Sequence, residues 1–261
     1  MFKGTYAGND AEIEFVKLFN SSRVKFQDYM SNFSNYDINN VYMVRVTTKQ
    51  ISKLNNKKVF TRSDCYLAYF HSNITNTLLE NNYLLDENIL SFNKLKYTFI
   101  PCSGISIKMK SSNRYQILKL GPNSFNNLFG SYELGAGASL FCKNDYEMPK
   151  NLELIKGWKS EVQKMQSYFT NIISSSKYFY LDKNICHSIK DFSNNRIKQI
   201  IDSDTLLQKK IFNGINIYDE PYTAYFLYHG NDIIPLNYID FSITTGSGRS
   251  KGNYTIVLKP K

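Results

Sequence analysis

Two short stretches of this chain carry side chains that could do chemistry together. In Ser63-Asp64-Cys65-Tyr66-Leu67-Ala68-Tyr69-Phe70 an acid opens an otherwise apolar run. In Cys102-Ser103-Gly104-Ile105-Ser106-Ile107-Lys108-Met109-Lys110 the apolar Ile105, Ile107 and Met109 alternate with Ser106, Lys108 and Lys110. A period of two predicts a strand with Ser106, Lys108 and Lys110 on one face. Two lysines side by side waste apolar face unless an anion lies in front of them. A carboxylate at the mouth of one strand can hold a hard divalent cation, and a lysine inside the next can meet phosphate or an attacking water. That pairing is what a metal-dependent phosphodiesterase needs. Asp64 alone could equally be a turn or capping residue. The run that follows it is so apolar that it must be a central strand, and functional groups gather at the ends of such strands.

Asp64 followed 44 positions later by Lys108, in Ser106-Ile107-Lys108, resembles the core of the PD-(D/E)xK nucleases, and in particular the type II restriction endonucleases. Gly8-Asn9-Asp10-Ala11-Glu12-Ile13-Glu14-Phe15-Val16 resembles that family's opening acidic helix. Arg114-Tyr115-Gln116-Ile117-Leu118-Lys119, running to Ser124-Phe125, resembles the segment after the lysine strand. The match is clearest over roughly the first half of the chain. Two positions depart from it: no proline precedes Asp64, and Ser106 stands where an acid is usual. Some members carry Ser-x-Lys and recruit a glutamate from a helix. The resemblance implies a central mixed sheet flanked by helices, and Mg²⁺-dependent cutting of duplex DNA at a short specific sequence. Asp64 would ligate the metal, the carbonyl of Ile107 would add an oxygen, and Lys108 would act on the attacking water or the charged phosphorus. The carboxylate missing at Ser106 is expected from Glu12 first and Glu133 second. A homodimer is expected, because palindromic targets go with two-fold symmetry, and a companion DNA methyltransferase follows from the family.

Composition agrees with a polyanion as partner. The chain has 261 residues, with 32 basic and 22 acidic side chains and a net charge of +10. Its pI is about 9.2, which favours nucleic acid or an anionic membrane surface. The basic residues are scattered and not gathered on an amphipathic helix, so nucleic acid is the better reading. A non-catalytic basic nucleic-acid-binding protein is the alternative to a nuclease. No apolar run is long enough to span a bilayer, and Met1-Phe2-Lys3-Gly4-Thr5-Tyr6 lacks the apolar stretch of a signal peptide, so a cytoplasmic location is expected. Cys65, Cys102, Cys142 and Cys186 form no CxxC pair, and His71, His187 and His229 have no local ligand spacing. Cys65 and Cys102 read as buried, reduced strand thiols.

Along the chain, residues 9–20 predict an amphipathic helix carrying Glu12 and Glu14, whose simplest role is to favour the helix dipole. Residues 21–36 allow a short helix, Val41 to Thr47 reads as a strand, and Thr48 to Lys58 as a lysine-rich turn that could face a DNA backbone. A strand is expected near Leu95 to Ile100 and a helix over Asn123 to Phe129. Residues 130–139, rich in glycine, read as a flexible loop holding Glu133. Residues 150–173 and 191–213 read as helices, and Tyr222 to Tyr228 and Tyr254 to Leu258 as late strands. Thr244 to Gly252 would cap a hairpin, with Arg249 and Lys251 reaching DNA alongside Lys110 and Arg114; Arg249 could make paired contacts to guanine or phosphate. The expectation is an α/β fold with a central mixed sheet, flanking helices and a C-terminal β-hairpin. It is one domain over 1–261, with its catalytic core at about 1–145.

Overall fold

The computed structural model describes residues 3–55, 60–108, 115–173, 178–245 and 254–261, with side chains from residue 8 onward. In chain order the elements begin α1 (Lys3–Ser21), α2 (Gln27–Met30), β1 (Val41–Arg45), α3 (Thr48–Leu54), β2 (Cys65–Phe70), α4 (Thr75–Glu80), α5 (Glu87–Phe92), β3 (Tyr97–Phe99) and β4 (Ile105–Lys108). They continue with β5 (Leu118–Leu120), α6 (Pro122–Phe129), α7 (Tyr132–Ser139), α8 (Asn151–Gly157), α9 (Val162–Tyr168), α10 (Lys183–Ser203) and α11 (Thr205–Phe212). The last strands are β6 (Phe226–His229), β7 (Asp232–Pro235), β8 (Phe241–Thr245) and β9 (Ile256–Pro260). The fold is α/β with a mixed central sheet and C-terminal strands, as the sequence implied.

Two compact units form: Met1–Asn113 with Lys209–Tyr238, and Arg114–Gln208 with Ile239–Lys261. The sequence reading took one domain with a core ending near 145. The chain leaves the first unit near 113 and returns to it at 209, and β6 of the returning segment pairs in parallel with β4. A parallel pair requires a long crossover, and here the crossover contains most of the second unit.

The first unit holds a sheet in the order β1-β2-β4-β6-β7, with β3 also paired to β2. Its pairs are antiparallel except β4 with β6. The strand period separates two cores. Val41, Met43, Cys65, Leu67, Ile105 and Ile107 meet Phe15, Val16 and Phe19 of α1 on one face. On the other, Tyr42, Val44, Tyr66, Ala68 and Phe70 meet Ile51 of α3, Leu78 of α4 and Leu90 of α5. Burial on both faces explains why β2 reads as a continuous apolar run. Of the lysine-rich stretch from Thr48 to Lys58, expected as a turn, Thr48–Leu54 form α3, capped by the Thr47 hydroxyl, and Lys57 and Lys58 lie outside the described residues.

Polar contacts fix the register of the helix and the strands. The buried Asn20 side chain donates to the Met43 and Tyr83 carbonyls, each at 3.0 Å, and accepts from the Met43 amide at 2.8 Å. It thereby closes an open edge of β1 and ties α1 to it. The Ser103 hydroxyl donates to Ile100 and accepts from the Leu67 amide. Gly104 has no room for a side chain, since a Cβ there would lie 1.9 Å from the Thr223 carbonyl oxygen. That close approach opens β4 against β6. Cys102, expected as a buried strand residue, is exposed in the preceding turn with φ +59, while Cys65 is buried.

The second unit pairs β5, β9 and β8 in that order, so the expected C-terminal hairpin is present as β8 and β9. Residues 130–139 are not the expected loop but mostly the buried helix α7, capped by the Ser131 hydroxyl. Its glycines serve close packing: a Cβ on Gly135 would sit 2.3 Å from the Trp158 ring, and one on Gly137 2.4 Å from Ser193 Oγ. The helix expected over 150–173 is broken between α8 and α9, where Lys159 adopts φ +59. Asp204 ends the helix expected over 191–213 and caps α11, its carboxylate accepting from the Leu206 and Leu207 amides.

Gly135→Ala is expected to destabilise the protein by about 1–3 kcal/mol, the usual cost of overpacking. Gly8→Ala, with open space around its Cβ position in α1, is expected to stabilise by roughly 0.5–1 kcal/mol. Urea denaturation of both variants checks the pair. Equal stability of Gly135→Ala and wild type would contradict the close helix packing.

Candidate active site

The Asp64 backbone is held on both sides before its side chain does anything. Its amide donates to the Ile105 carbonyl at 2.8 Å, and its carbonyl accepts from the Val46 amide at 2.9 Å. The two residues before it are pinned too, the Arg62 and Ser63 amides donating to the Tyr222 carbonyl and Ser63 Oγ to the Pro221 carbonyl. The antiparallel register of Cys65 with Ile105 sets Asp64 across from Ser106. The side chain then bridges the strands: Asp64 Oδ2 accepts from the Ile107 amide at 2.6 Å and from Ser106 Oγ at 3.3 Å. Ser106 is buried and serves the carboxylate as a donor.

Lys108 lies one step further along the same strand face, and burial pushes its ammonium below the ordinary range. Asp64 and Glu12 pull it back up, and Arg62 pushes it down. Such competition is what tunes a lysine toward base chemistry. Glu12 reaches the same field from α1. Burial raises its pKa most, the Asp64 charge adds to that, and Arg45 and Lys108 lower it. So the predicted Asp64, Lys108 and Glu12, from three elements far apart in sequence, act on one another electrostatically.

Glu12 also has a structural partner that sequence reasoning did not foresee. Arg45, at the end of β1 and 6% exposed, donates to Glu12 Oε2 from Nη2 at 2.7 Å and Nε at 3.2 Å, and to Asn9 Oδ1. A buried guanidinium must be paired, so Glu12 neutralises Arg45 whatever else it does. The Arg62 guanidinium donates to the Phe212 carbonyl, while its charge bears on Lys108. His229 stands in register with Lys108 across the parallel β4–β6 pair, which no local spacing could have signalled.

Glu133 belongs to the second unit. Its Oε2 accepts from Ser131 Oγ at 3.1 Å and its Oε1 from Ser160 Oγ at 2.8 Å, so it acts in the cap of α7. Among the described residues no three His, Cys, Asp or Glu side chains gather as a metal-binding group. Asp64 and Glu12 are two carboxylates, which is within the needs of Mg²⁺, an ion usually held by one or two carboxylates plus water and phosphate oxygens. The expected DNA contacts Lys110, Arg114, Arg249 and Lys251 lie outside the described residues. No described helix is long and apolar enough to cross a membrane. No protein-family model matches this chain, and no curated protein matches it.

Arg45→Met is expected to cost roughly 1.5–3 kcal/mol, the worth of hydrogen bonds to a charged group. Without Arg45 the Glu12 carboxyl rises further above its unfolded value. Between the two values the unfolded chain sheds its proton first, so stability falls as pH rises. Urea denaturation at pH 5 and pH 8 should show the larger loss at pH 8. An equal loss at both would place Glu12 outside the field of Arg45.

Proposed function

We propose that this protein is a Mg²⁺-dependent endonuclease cutting duplex DNA at a specific short sequence, most like a type II restriction enzyme of the PD-(D/E)xK kind. The observation that supports this reading is the bridge from Asp64 Oδ2 to the Ile107 amide and Ser106 Oγ, which ties the acid to the strand that carries Lys108. Glu12 and Lys108 each carry a shift to which Asp64 contributes.

Mg²⁺ would be held by Asp64, by Glu12 and by the Ile107 carbonyl. Bound there, it would neutralise the scissile phosphate and lower the pKa of a coordinated water. The chain's own residues do the rest. Ser106 and the Ile107 amide orient the Asp64 carboxylate by occupying Oδ2. Lys108, with its proton loosened by burial, positions or deprotonates the attacking water, or meets the charge developing on phosphorus. The net charge of +10 favours approach of the polyanion. A two-fold dimer and a companion DNA methyltransferase belong to the same proposal, as does residence in the cytoplasm.

Incubation with plasmid DNA, with and without Mg²⁺, tests the reading. Discrete fragments that require the metal are expected. A gel shift without cleavage would overturn the nuclease assignment in favour of a basic nucleic-acid-binding protein. Asp64→Ala should lose cleavage by several powers of ten, on the order of 4 kcal/mol or more, and Lys108→Ala should be inactive as well. Wild-type-like cutting by a folded Asp64→Ala protein would remove Asp64 from the site.

Glu12 needs a test that separates its two roles. Glu12→Gln is expected to slow cleavage at least about a hundredfold, roughly 2.7 kcal/mol, and to raise the Mg²⁺ requirement. Glu133→Gln should change it by less than about tenfold. The double variant Glu12→Gln, Arg45→Met removes the unpaired guanidinium that the single change leaves. It should regain stability but not activity. Recovery of cleavage along with stability would reduce Glu12 to the partner of Arg45.

A further inference from the structure

Arg62 stands two residues before Asp64, ahead of β2, and the cleavage proposal gives it no task. Its backbone is fixed, the amide donating to the Tyr222 carbonyl at 2.8 Å. Its guanidinium is fixed as well, donating to the Phe212 carbonyl from Nε and Nη2, each at 3.2 Å. Gly214, at φ +84, leaves room for the stem, since a Cβ there would lie 3.2 Å from Arg62 Cβ. The residue is half-buried, so the cation is held in one place and does not trail in solvent.

Phe212 ends α11, so the simplest role for Arg62 is to cap that helix, a cation at the negative end of its dipole. The surroundings ask for more. Burial lowers Lys108 most, and the Arg62 charge lowers it further against the pull of Asp64 and Glu12, which sets the guanidinium within the electrostatic field of the ammonium. Arg45 gives the contrast: it meets an acid, Glu12, at 2.7 Å, whereas the Phe212 carbonyl fixes Arg62 without neutralising it. Two cations kept close together in a poorly solvated place repel one another. An anion that answers both offsets that cost. Glu12 is engaged by Arg45, and in the cleavage reading Asp64 and Glu12 also serve the metal. A phosphodiester oxygen is the anion that fits, because a guanidinium presents a planar fork of donors matched to phosphate.

We propose that Arg62 is a phosphate-binding residue of the Asp64 site, its guanidinium meeting a backbone phosphate of nucleic acid there. The assignment rests on the reading of Asp64, Ser106 and Lys108 as a nucleic-acid site, and not on cleavage itself.

Filter binding of labelled plasmid DNA without metal, between about 50 and 200 mM NaCl, tests it. Log affinity falls linearly with log salt, and each phosphate contact adds about 0.9 to the slope. Arg62→Gln should bind more weakly and lower the slope by about 0.9. Arg62→Lys keeps the charge but not the fork, so it should bind more weakly at the wild-type slope. A helix cap alone would leave the slope unchanged in both variants. Should Arg62→Gln fail to fold by circular dichroism, chemical footprinting of the wild type replaces it, and plasmid DNA must then protect Arg62 from modification by phenylglyoxal. An unchanged slope in folded Arg62→Gln, an equal drop in both variants, or unprotected Arg62 would overturn the proposal. If the wild type cuts plasmid while the slopes agree, only the phosphate contact falls. If the slope drops in Arg62→Gln but the wild type never cuts, the contact stands and the nuclease reading falls. A wild type that neither binds nor cuts removes both.

Discussion

The short hydrogen bond from the Ile107 amide to Asp64 Oδ2, at 2.6 Å, is the contact on which the candidate site depends. It crosses from the start of β2 to the middle of β4, where the antiparallel ladder between those strands is only beginning. A carboxylate bonded to a backbone amide is a strong, charge-assisted contact. Here it fixes the spacing between acid and lysine without needing either to be long. It also consumes one carboxylate oxygen and orients the other. The buried Ser106 hydroxyl adds a second donor to the same oxygen, so a serine at this position helps hold the acid in place.

That contact is possible only because β4 is gripped on both sides. β2 lies antiparallel on one side and β6 parallel on the other. Gly104 lets the Thr223 carbonyl approach where any side chain would collide, and its own carbonyl accepts from the Tyr225 and Phe226 amides. The Tyr222 carbonyl in turn holds the Arg62 and Ser63 amides ahead of Asp64. One short segment before β6 therefore organises the mouths of both motif strands, though it lies more than a hundred residues later in the chain. Tyr222 also donates its hydroxyl to Glu87 Oε1, at the start of α5.

Electrostatics links α1 to this arrangement. Burial raises Glu12 and lowers Lys108, and each group partly offsets the shift of the other. Arg45 complicates the balance, since it is buried, paired to Glu12 and anchored at the end of β1. Asn20, eight residues beyond Glu12, locks α1 against β1 with two hydrogen bonds to Met43 and adds a third to the Tyr83 carbonyl. The acidic turn of the helix is thereby set beside the strand that carries Arg45. The site is assembled from ordinary packing contacts whose by-product is a cluster of charges in a poorly solvated place.

Much of this was legible in the sequence. The alternation of Ile105, Ser106, Ile107 and Lys108 marks a strand, the unbroken apolar run after Asp64 marks a buried one, and the stripe of Val16 and Phe19 marks a core-facing helix. Those patterns are local consequences of strand and helix periods, so a single sequence carries them. The glycines at 135 and 137 misled for a physical reason: a missing side chain signals either freedom or crowding, and only Trp158 and Ser193, brought close by folding, decide for crowding. The return of 209–238 to the first unit was not legible, because parallel pairing leaves no mark between its two strands. Arg45, Arg62, His229 and Glu87 were invisible as partners for the same cause. Periodicity and composition determined which residues face inward and which elements carry the acid and the lysine; burial, register and the resulting pKa shifts were decided by the tertiary structure alone, since they depend on groups that are distant in the chain and neighbours only in space.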